Sequence, residues 1–472
     1  MAKICVIGAG PAGSSFAARM AQLGHQVSLI ERAPFPRGRL GESLSPGVLP
    51  LLDITGARAA VEASNVRRVA SVHVKWGDAP EIRPGGREPG LLVDRGEFDR
   101  LLLQRARDLG VQVLHPARVR HICRDGHDWR IDVEADVAVR LRADFLATAT
   151  GRSARIPPGK AFTGPRTLAL YAYWRGRSLP QNPRIEAGRD AWYWGVPLPD
   201  GTFNALVFVD AKRARGPGSL RERFEQLLLG SSLAAYCRDA QMLGRVRAQD
   251  ATAYLDGGCV TRSSIKIGDT ALAIDPISSS GVQKAIQSAV AAAATANTLL
   301  RRPLAGDAAM RFYRDSLAHA SRRHARWAAE HYHTAAVRLG GEFWQARAAA
   351  PAQVPPIAAM DARTITRLRL ELSTQVQFVD LPCIEGDFVK VKSALRHPNL
   401  ESPVAYLGDS ELAPLLRQVQ PGATALQLAQ VWSAQLARGN ALAIAAWLVR
   451  QGILVECASA PTGSGASVAA SR

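Results

Sequence analysis

Short apolar runs and helical periodicity alternate along the first third of the chain. Residues 3–7 (Lys-Ile-Cys-Val-Ile) predict a strand, a helical stretch follows to about Leu23, and Gln26–Ile30 predicts a second strand. A short helix is expected near Val48–Ala63. Further strands are expected at Val69–Trp76, Leu91–Val93, Val111–Leu114, Val119–Cys123, Trp129–Glu134, Val137–Arg142 and Phe145–Thr148, with a helix over Gly96–Leu109. A β-rich region covers Thr167–Phe208 and Val260–Ile267; helix is expected from Gln283 to about Leu300 and from Ala308 to about Ala349. Pro351–Pro356 reads as a linker. Beyond it a module over about 357–457 carries helices at Glu411–Val419, Leu426–Ala437 and Ala441–Gln451 and a strand at Ile453–Glu456. Ser459–Arg472 is Ala/Ser/Gly-rich and reads as a disordered tail. Strands alternating with helices predict an α/β fold.

Between the first strand and first helix stands Gly8-Ala9-Gly10-Pro11-Ala12-Gly13, and the second strand ends at Glu31. Strand, glycine turn, helix, strand and acid together form a dinucleotide-binding fingerprint. Gly8 permits the tight turn, Gly10 the approach of a pyrophosphate, and Gly13 close packing of helix on strand. The helix N-terminus offers unpaired N–H groups to phosphate, and Glu31 is placed to accept from a ribose.

Composition narrows the setting. The 472 residues are 47% hydrophobic and 21% charged, which suits two or three globular lobes. The longest apolar stretch, Ala285–Leu300, is interrupted by Gln287 and Asn297, so no membrane span is expected. A strand beginning at Lys3 leaves no room for a secretory signal, and a cytoplasmic protein is expected. Six scattered cysteines contain no CxxC and read as free thiols; His331 and His333 point to different helix faces, so no metal is expected. The net charge of +18 draws on arginines across Arg100–Arg107, Arg213–Arg223 and Arg311–Arg326. Aromatic–basic interleaving is missing, which argues against nucleic acid; an acidic protein or peptide substrate fits the charge through steering.

Three segments select FAD among the dinucleotides. Leu92-Val93-Asp94-Arg95-Gly96-Glu97-Phe98-Asp99 opens a helix with Arg95 in reach of a flavin phosphate or ribitol; a capped helix with a solvated arginine is the alternative. Ala149-Thr150-Gly151 closes a strand, bringing backbone near the adenine half. Ile267-Gly268-Asp269-Thr270 places an acid after a strand-end glycine, suited to a ribityl hydroxyl. It continues through Asp275-Pro276-Ile277-Ser278-Ser279-Ser280-Gly281-Val282 into a helix whose N-terminus can face the flavin pyrimidine.

Over roughly residues 1–340 the chain resembles the flavoprotein monooxygenase superfamily and, within it, the branch holding flavin-dependent halogenases. Gly41-Glu42-Ser43-Leu44-Ser45-Pro46 looks like that branch's loop between flavin and substrate pocket. Trp192-Tyr193-Trp194-Gly195-Val196-Pro197 is similar to its WxWxIP motif, with Val196 in place of isoleucine. Strand alternation puts Trp192 and Trp194 on one face, where two indoles can exclude water; a plain core role is the alternative. The resemblance extends the cofactor set to Arg32, Arg39, Glu42, Ser43, Asp275, Ser280 and Val282, beside Arg95, Thr150, Gly151, Gly268, Asp269 and Gly281.

The departures are informative. Where a KxGxxFxWG pattern of halogenases would place its lysine stands Val69, with Ser71 for the glycine and Val74 for the phenylalanine; Lys75 would face away from Val74 and Trp76. Where a P-x-E-S-T-G-like segment would place its glutamate stands Ser278. Without amine and acid, halide oxidation lacks its relay, and direct oxygen transfer to an electron-rich indole is favoured. The non-halogenating relatives of this kind mature tryptophylquinone enzymes, and the one serving quinohemoprotein amine dehydrogenase matches best in its extra C-terminal module and basic charge. That likeness implies a thioether-crosslinked quinohemoprotein subunit as protein substrate, docked by the module from Val379 to Gly386 onward. A lid or a dimer contact is the module's alternative role. Glu42, His73 and Lys75 are the candidate bases; Trp192 and Trp194 are the pocket wall. Electrons would come from an external flavin reductase or NAD(P)H. A halogenase with a relocated lysine, a non-catalytic flavoprotein escort and, less favoured, a lipid-acting reductase are the competing readings.

The expected architecture is therefore α/β. A Rossmann-type FAD domain, glutathione-reductase-like and p-hydroxybenzoate-hydroxylase-like, takes residues 1–165 and 255–345. A β-sheet substrate domain takes 166–254, and a small helical, winged-helix-like module takes 357–457.

Overall fold

The computed structural model describes residues 1–38, 40–153, 159–214, 218–349 and 366–457. The linker at Pro351–Pro356, the tail from Ser459 and Arg39 lie outside the described residues. The chain divides into two units, Met1–Pro351 with Ile384–Val389, and Ala352–Cys383 with Lys390–Arg472.

In the first unit the apolar run at the N-terminus becomes the centre of a five-stranded parallel sheet. Its order is Ser264–Lys266, Phe145–Thr148, Lys3–Ile7, Gln26–Ile30, Gln112–Leu114. These strands read as continuous apolar runs because both faces are covered. On one face, Phe16, Ala17 and Met20 of the fingerprint helix Pro11–Gln22 share a core with Ala289, Ala292, Ala293 and Ala296 of the helix Gly281–Arg301. Alanines let the two helices approach closely over the sheet.

The second sheet has seven strands in the order Gln241–Asp250, Thr167–Arg175, Phe203–Asp210, Trp192–Pro197, Arg184–Ala187, Ser71–Lys75, Glu81–Pro84. All neighbours are antiparallel except Arg184–Ala187 with Ser71–Lys75. Two of its strands thus come from within residues 1–165, the span that sequence patterning assigns wholly to nucleotide binding. The His73 N–H donates to Pro183 O at 2.9 Å, at the start of this long-range pairing. One face of the sheet packs Trp192, Phe208, Val74 and Trp76 against Ala328, Tyr332, Phe343 and Trp344. Tyr193, Val207 and Leu170 pack on the other face with Phe224 and Leu233.

Helices break where glycine takes a left-handed conformation. The stretch expected over Val48–Ala63 is two helices, Val48–Thr55 and Arg58–Glu62, the first ending at Gly56 with φ 72°. The long C-terminal helix of this unit runs Gly306–Leu339 and stops at Gly340 and Gly341, both with positive φ, before a short helix Glu342–Gln345. No described helix is long and apolar enough to cross a membrane.

The second unit builds a three-stranded antiparallel sheet (Ala423–Thr424, Arg369–Leu372, Leu454–Glu456) and helices Leu412–Leu416, Ala425–Trp432 and Arg438–Arg450 around Trp432. The Trp432 indole N–H reaches Leu415 O at 3.0 Å, and Thr424 with Gln427 forms a capping box. Sequence patterning misses the hairpin Gln377–Glu385/Phe388–Arg396, whose residues alternate without a strong apolar face.

Candidate active site

The fingerprint turn is sterically committed to glycine. A Cβ on Gly13 would lie 1.8 Å from Gly8 O, and one on Gly8, at φ 103°, 2.5 Å from Ala149 O. Gly10 caps the helix without a side-chain hydrogen bond, Pro11 opens it, and its first turn holds no acid. The first-turn N–H groups are therefore available to an anion. Beside this turn Ala12 lies against Gly268, where an added Cβ would approach to 2.7 Å. The strand ends carrying Gly151 and Gly268 meet here as well, the Gly151 N–H donating to Thr270 Oγ1 at 3.0 Å.

Glu31 is buried, and its own loop holds it: Ala9 N–H donates to Oε2 and Ala33 N–H to Oε1, each at 2.8 Å. Arg37, which sequence patterning does not single out, pairs with Glu31 at 2.8 Å. Arg32 beside it is exposed. Arg95 is neither solvated nor pointed at open space. It is 8% exposed and forms an ion pair with Asp99 at 3.0 Å, while Asp94 caps its helix through Glu97 N–H. Asp269 is one-third exposed and bonded by Arg152 at 3.1 Å. Thr150 is exposed at the same strand end.

A second helix N-terminus faces the loop of Glu42. Ser280 caps Gly281–Arg301 without a side-chain bond, and no acid stands in the first turn. Ser45 Oγ donates to Gln283 Oε1 at 2.5 Å, and Gly41 lies beside Val282. Ser43 sits in the short strand Ser43–Leu44, paired with Leu91–Leu92. Two uncapped helix N-termini with adjacent small residues fit the pyrophosphate and the pyrimidine edge of an FAD. The segment leading to the second one is shaped by Asp275: its Oδ1 accepts from Ile277 N–H at 3.0 Å and from the Tyr332 hydroxyl at 2.9 Å. Ser279 follows at φ 48°, the one non-glycine residue with positive φ among those described. Ser278, in the position of the halogenase glutamate, donates its hydroxyl to Asp275 O.

The register of the seven-stranded sheet sorts the candidate catalytic residues onto two faces. Trp194 stands in line with Ile185, Val74 and Leu206; Trp192 stands in line with Phe208 and Ala187. Trp192 is 2% exposed, stacked on Phe208 at 3.7 Å and edge-on to Trp76 at 6.3 Å. Trp194 is half-buried on the same face. Glu42 joins this side: its buried carboxylate accepts from Tyr173 OH at 2.6 Å, Asn204 Nδ2 at 3.0 Å and Gly41 N–H at 2.9 Å. Burial and the Glu42 charge raise the Tyr173 phenol well above its ordinary value, so it stays a donor.

His73 and Lys75 lie on the opposite face, in register with Arg184 and Glu186. Burial, then the Arg184 charge, lowers the His73 pKa, and Lys75 is exposed. As candidate bases both are turned away from the tryptophan wall.

Two buried groups escape sequence reading. Lys284, one turn into Gly281–Arg301, is 6% exposed, and desolvation pulls its amine down to about 8. It lies two residues past the motif that ends at Val282, in an alanine-rich stretch that gives no sign of its burial. Tyr332 is fully buried 57 residues from its partner Asp275. All six cysteines are free, and burial pushes the thiols of Cys5 and Cys237 up to about 12. Among the described residues no group of three or more His, Cys, Asp or Glu could hold a metal.

Comparison with known proteins agrees with this geometry. A family model described as an FAD binding domain matches residues 1–169. A tryptophan 2-halogenase of Chondromyces crocatus is 30% identical over 340 residues, 66% of this chain and 64% of that protein. A flavin-dependent halogenase of Armillaria mellea is 28% identical over 352 residues, 64% of this chain and 66% of its own length. The chain thus spans just under two thirds of these curated relatives. Among solved structures, the peptidyl tryptophan dihydroxylase QhpG, described as essential for tryptophylquinone cofactor biogenesis, is 29% identical with a TM-score of 0.75, covering 96% of this chain and 99% of that one. The flavin-dependent halogenase CmlS shares the fold at 22% identity, with a TM-score of 0.79 and coverage of 96% and 95%.

Proposed function

We propose, for a chain that belongs to the FAD-dependent monooxygenase and halogenase superfamily, a monooxygenase that hydroxylates an electron-rich aromatic ring, a tryptophan side chain of a partner protein in tryptophylquinone formation. The observation that carries this reading is the placement of Lys75. The strand that would present a halogenase's amine shows Val74 and Trp76 to the Trp192 face and turns Lys75 outward. The end-to-end likeness to a peptidyl tryptophan dihydroxylase supports the same choice and a protein substrate.

The fingerprint turn, Gly268-Asp269 and the first turn at Gly281 would hold FAD, which supplies oxygen activation once reduced. This chain's own residues orient and exclude. Trp192, Phe208 and Trp76 form a buried aromatic wall that would exclude water, and half-buried Trp194 continues it along the strand. Glu42 ties the Gly41–Pro46 loop to Tyr173 and Asn204, which fixes that loop against the sheet. The basic surface would draw an acidic partner, an external flavin reductase or NAD(P)H would provide electrons, and the second unit, which we read as winged-helix-like, would dock the partner.

Halogenation is the second reading. It is favoured by the 30% identity to a tryptophan halogenase and by the buried amine of Lys284, a lysine outside the halogenase pattern. Reduced, FAD-loaded protein mixed with O₂, bromide, small indoles and crosslinked partner protein separates the two by mass spectrometry. Addition of about one or two oxygen atoms to a partner tryptophan is the expected outcome of a flavin oxygen donor. Bromination of an indole would overturn it, and a flavoprotein that consumes no O₂ would indicate an escort.

A further inference from the structure

One cavity in the first unit is not used by any residue of the sequence motifs except Asp275. It encloses about 470 Å³ between the long helix Gly306–Leu339 and the segments around Thr163–Pro165, Ala253 and Ala273–Asp275. That volume falls within the roughly 300–1,000 Å³ of small-molecule sites.

Seven alanines give it stretches of flat apolar wall, and Thr163, Ser321, His324, Arg326 and Arg347 line it together with Asp275 and Tyr332. The half-buried Asp275 carboxylate borders it, with Oδ1 oriented by Ile277 N–H and Tyr332 OH. Burial raises the pKa of this carboxyl, and in either protonation state it keeps acceptor capacity beyond those two bonds. His324 lines it from the long helix, where burial, then the Arg323 and Lys284 charges, lowers its pKa. Arg347 at the far wall is already committed to Asp210 at 2.5 Å and Thr167 at 2.9 Å. The Tyr332 side chain that borders the cavity also touches Trp76 and Trp344, so the cavity adjoins the aromatic wall.

We infer that this cavity seats the substrate's indole ring, with Asp275 accepting the ring N–H. The inference rests on the proposed hydroxylation of a tryptophan and adds where the ring is held. An apolar planar ring with one donor complements the alanine stretches of the wall beside the oriented Asp275 acceptor.

The test uses the FAD-loaded full chain and 5-fluoroindole, followed by ¹⁹F relaxation. Wild type should broaden the probe, and 5-fluorobenzofuran, which lacks the N–H, should bind at least about fivefold more weakly. Ala325→Leu on the helix and Thr163→Phe on the exposed opposite wall fill the cavity from two sides, and each should cut binding at least about fivefold. Absent binding, binding unchanged in both filled variants, or equal binding of the benzofuran overturns the inference. Oxygenation of the partner protein is read separately. If it proceeds undiminished in both filled variants, the cavity assignment fails and the function stands. If the probe binds as expected but the partner is never oxygenated, the function fails and the site stands.

Discussion

The Tyr173 hydroxyl donates a 2.6 Å hydrogen bond to Oε1 of Glu42, joining residues 131 positions apart. Glu42 belongs to the loop beside the second helix N-terminus, and Tyr173 to the seven-stranded sheet. Asn204, on the neighbouring strand, donates to the same oxygen. A motif glutamate that reads as a catalytic candidate is thus also the acceptor that three buried or half-buried donors share.

Removing that acceptor should be costly. Glu42→Ala leaves the Tyr173, Asn204 and Gly41 donors unpaired, at about 1–3 kcal/mol for each buried group. Denaturant midpoints should show a loss of roughly 3 kcal/mol or more for Glu42→Ala, and a much smaller loss for Glu42→Gln, which keeps an acceptor oxygen.

Cofactor retention should follow the steric map of the glycines. Gly13→Ala forces a Cβ against Gly8 O, and Gly268→Ala forces one against Ala12 at φ 60°. Both should purify with FAD reduced by at least about tenfold, a change that visible absorbance against protein absorbance measures directly. Gly77→Ala meets nothing within 4 Å and should stay fully yellow.

Trp194 is half-buried at the edge of the aromatic wall, whereas Trp192 is stacked within it. Trp194→Ala should cost less stability than Trp192→Ala yet admit water, diverting a several-fold larger share of consumed O₂ to free peroxide. Oxygen uptake compared with product formation provides the readout. Unchanged coupling would remove Trp194 from the shielding role.

The buried amine of Lys284 makes a signed pH prediction. Its folded pKa is depressed to about 8 from an ordinary 10.5, so between those values the unfolded chain binds a proton that the folded one does not. Stability from this group therefore rises with pH across that window, and the cost of the buried charge is fully present below about 8. Lys284→Met should stabilise the FAD-free protein at pH 7 by about 2–3 kcal/mol, and the difference from wild type should shrink toward pH 10.5. Paired urea titrations at both ends of the range cancel the tyrosines common to the two proteins.

Much of the cofactor half is legible because its signals are local. Gly8 to Gly13, the strands on either side and the acid at Glu31 lie within one βαβ unit, so spacing alone predicts the turn. Alternation likewise places Trp192 and Trp194 on one face and Lys75 on the face away from Val74, which the register bears out. What escapes reading is held by distant partners. Nothing near Asp275 announces Tyr332, nothing near Glu31 announces Arg37, and Lys284 hides in an alanine-rich helix whose burial only the fold reveals. The break at Gly340-Gly341 is a local signal, but the helical periodicity on its N-terminal side outweighs it.

The pairing of Ser71–Lys75 with Arg184–Ala187 has a consequence for how the molecule is made. A ribosome that has released the first of these strands must add more than a whole nucleotide-binding motif before the second emerges. Until then a two-strand ribbon waits with Val74 and the neighbouring Trp76 uncovered. Long-range pairing of this kind slows folding and leaves sticky edges in the interim. The two sheets are also stitched through one another in sequence, so a cut between residues 165 and 166 would deprive the tryptophan wall of a strand.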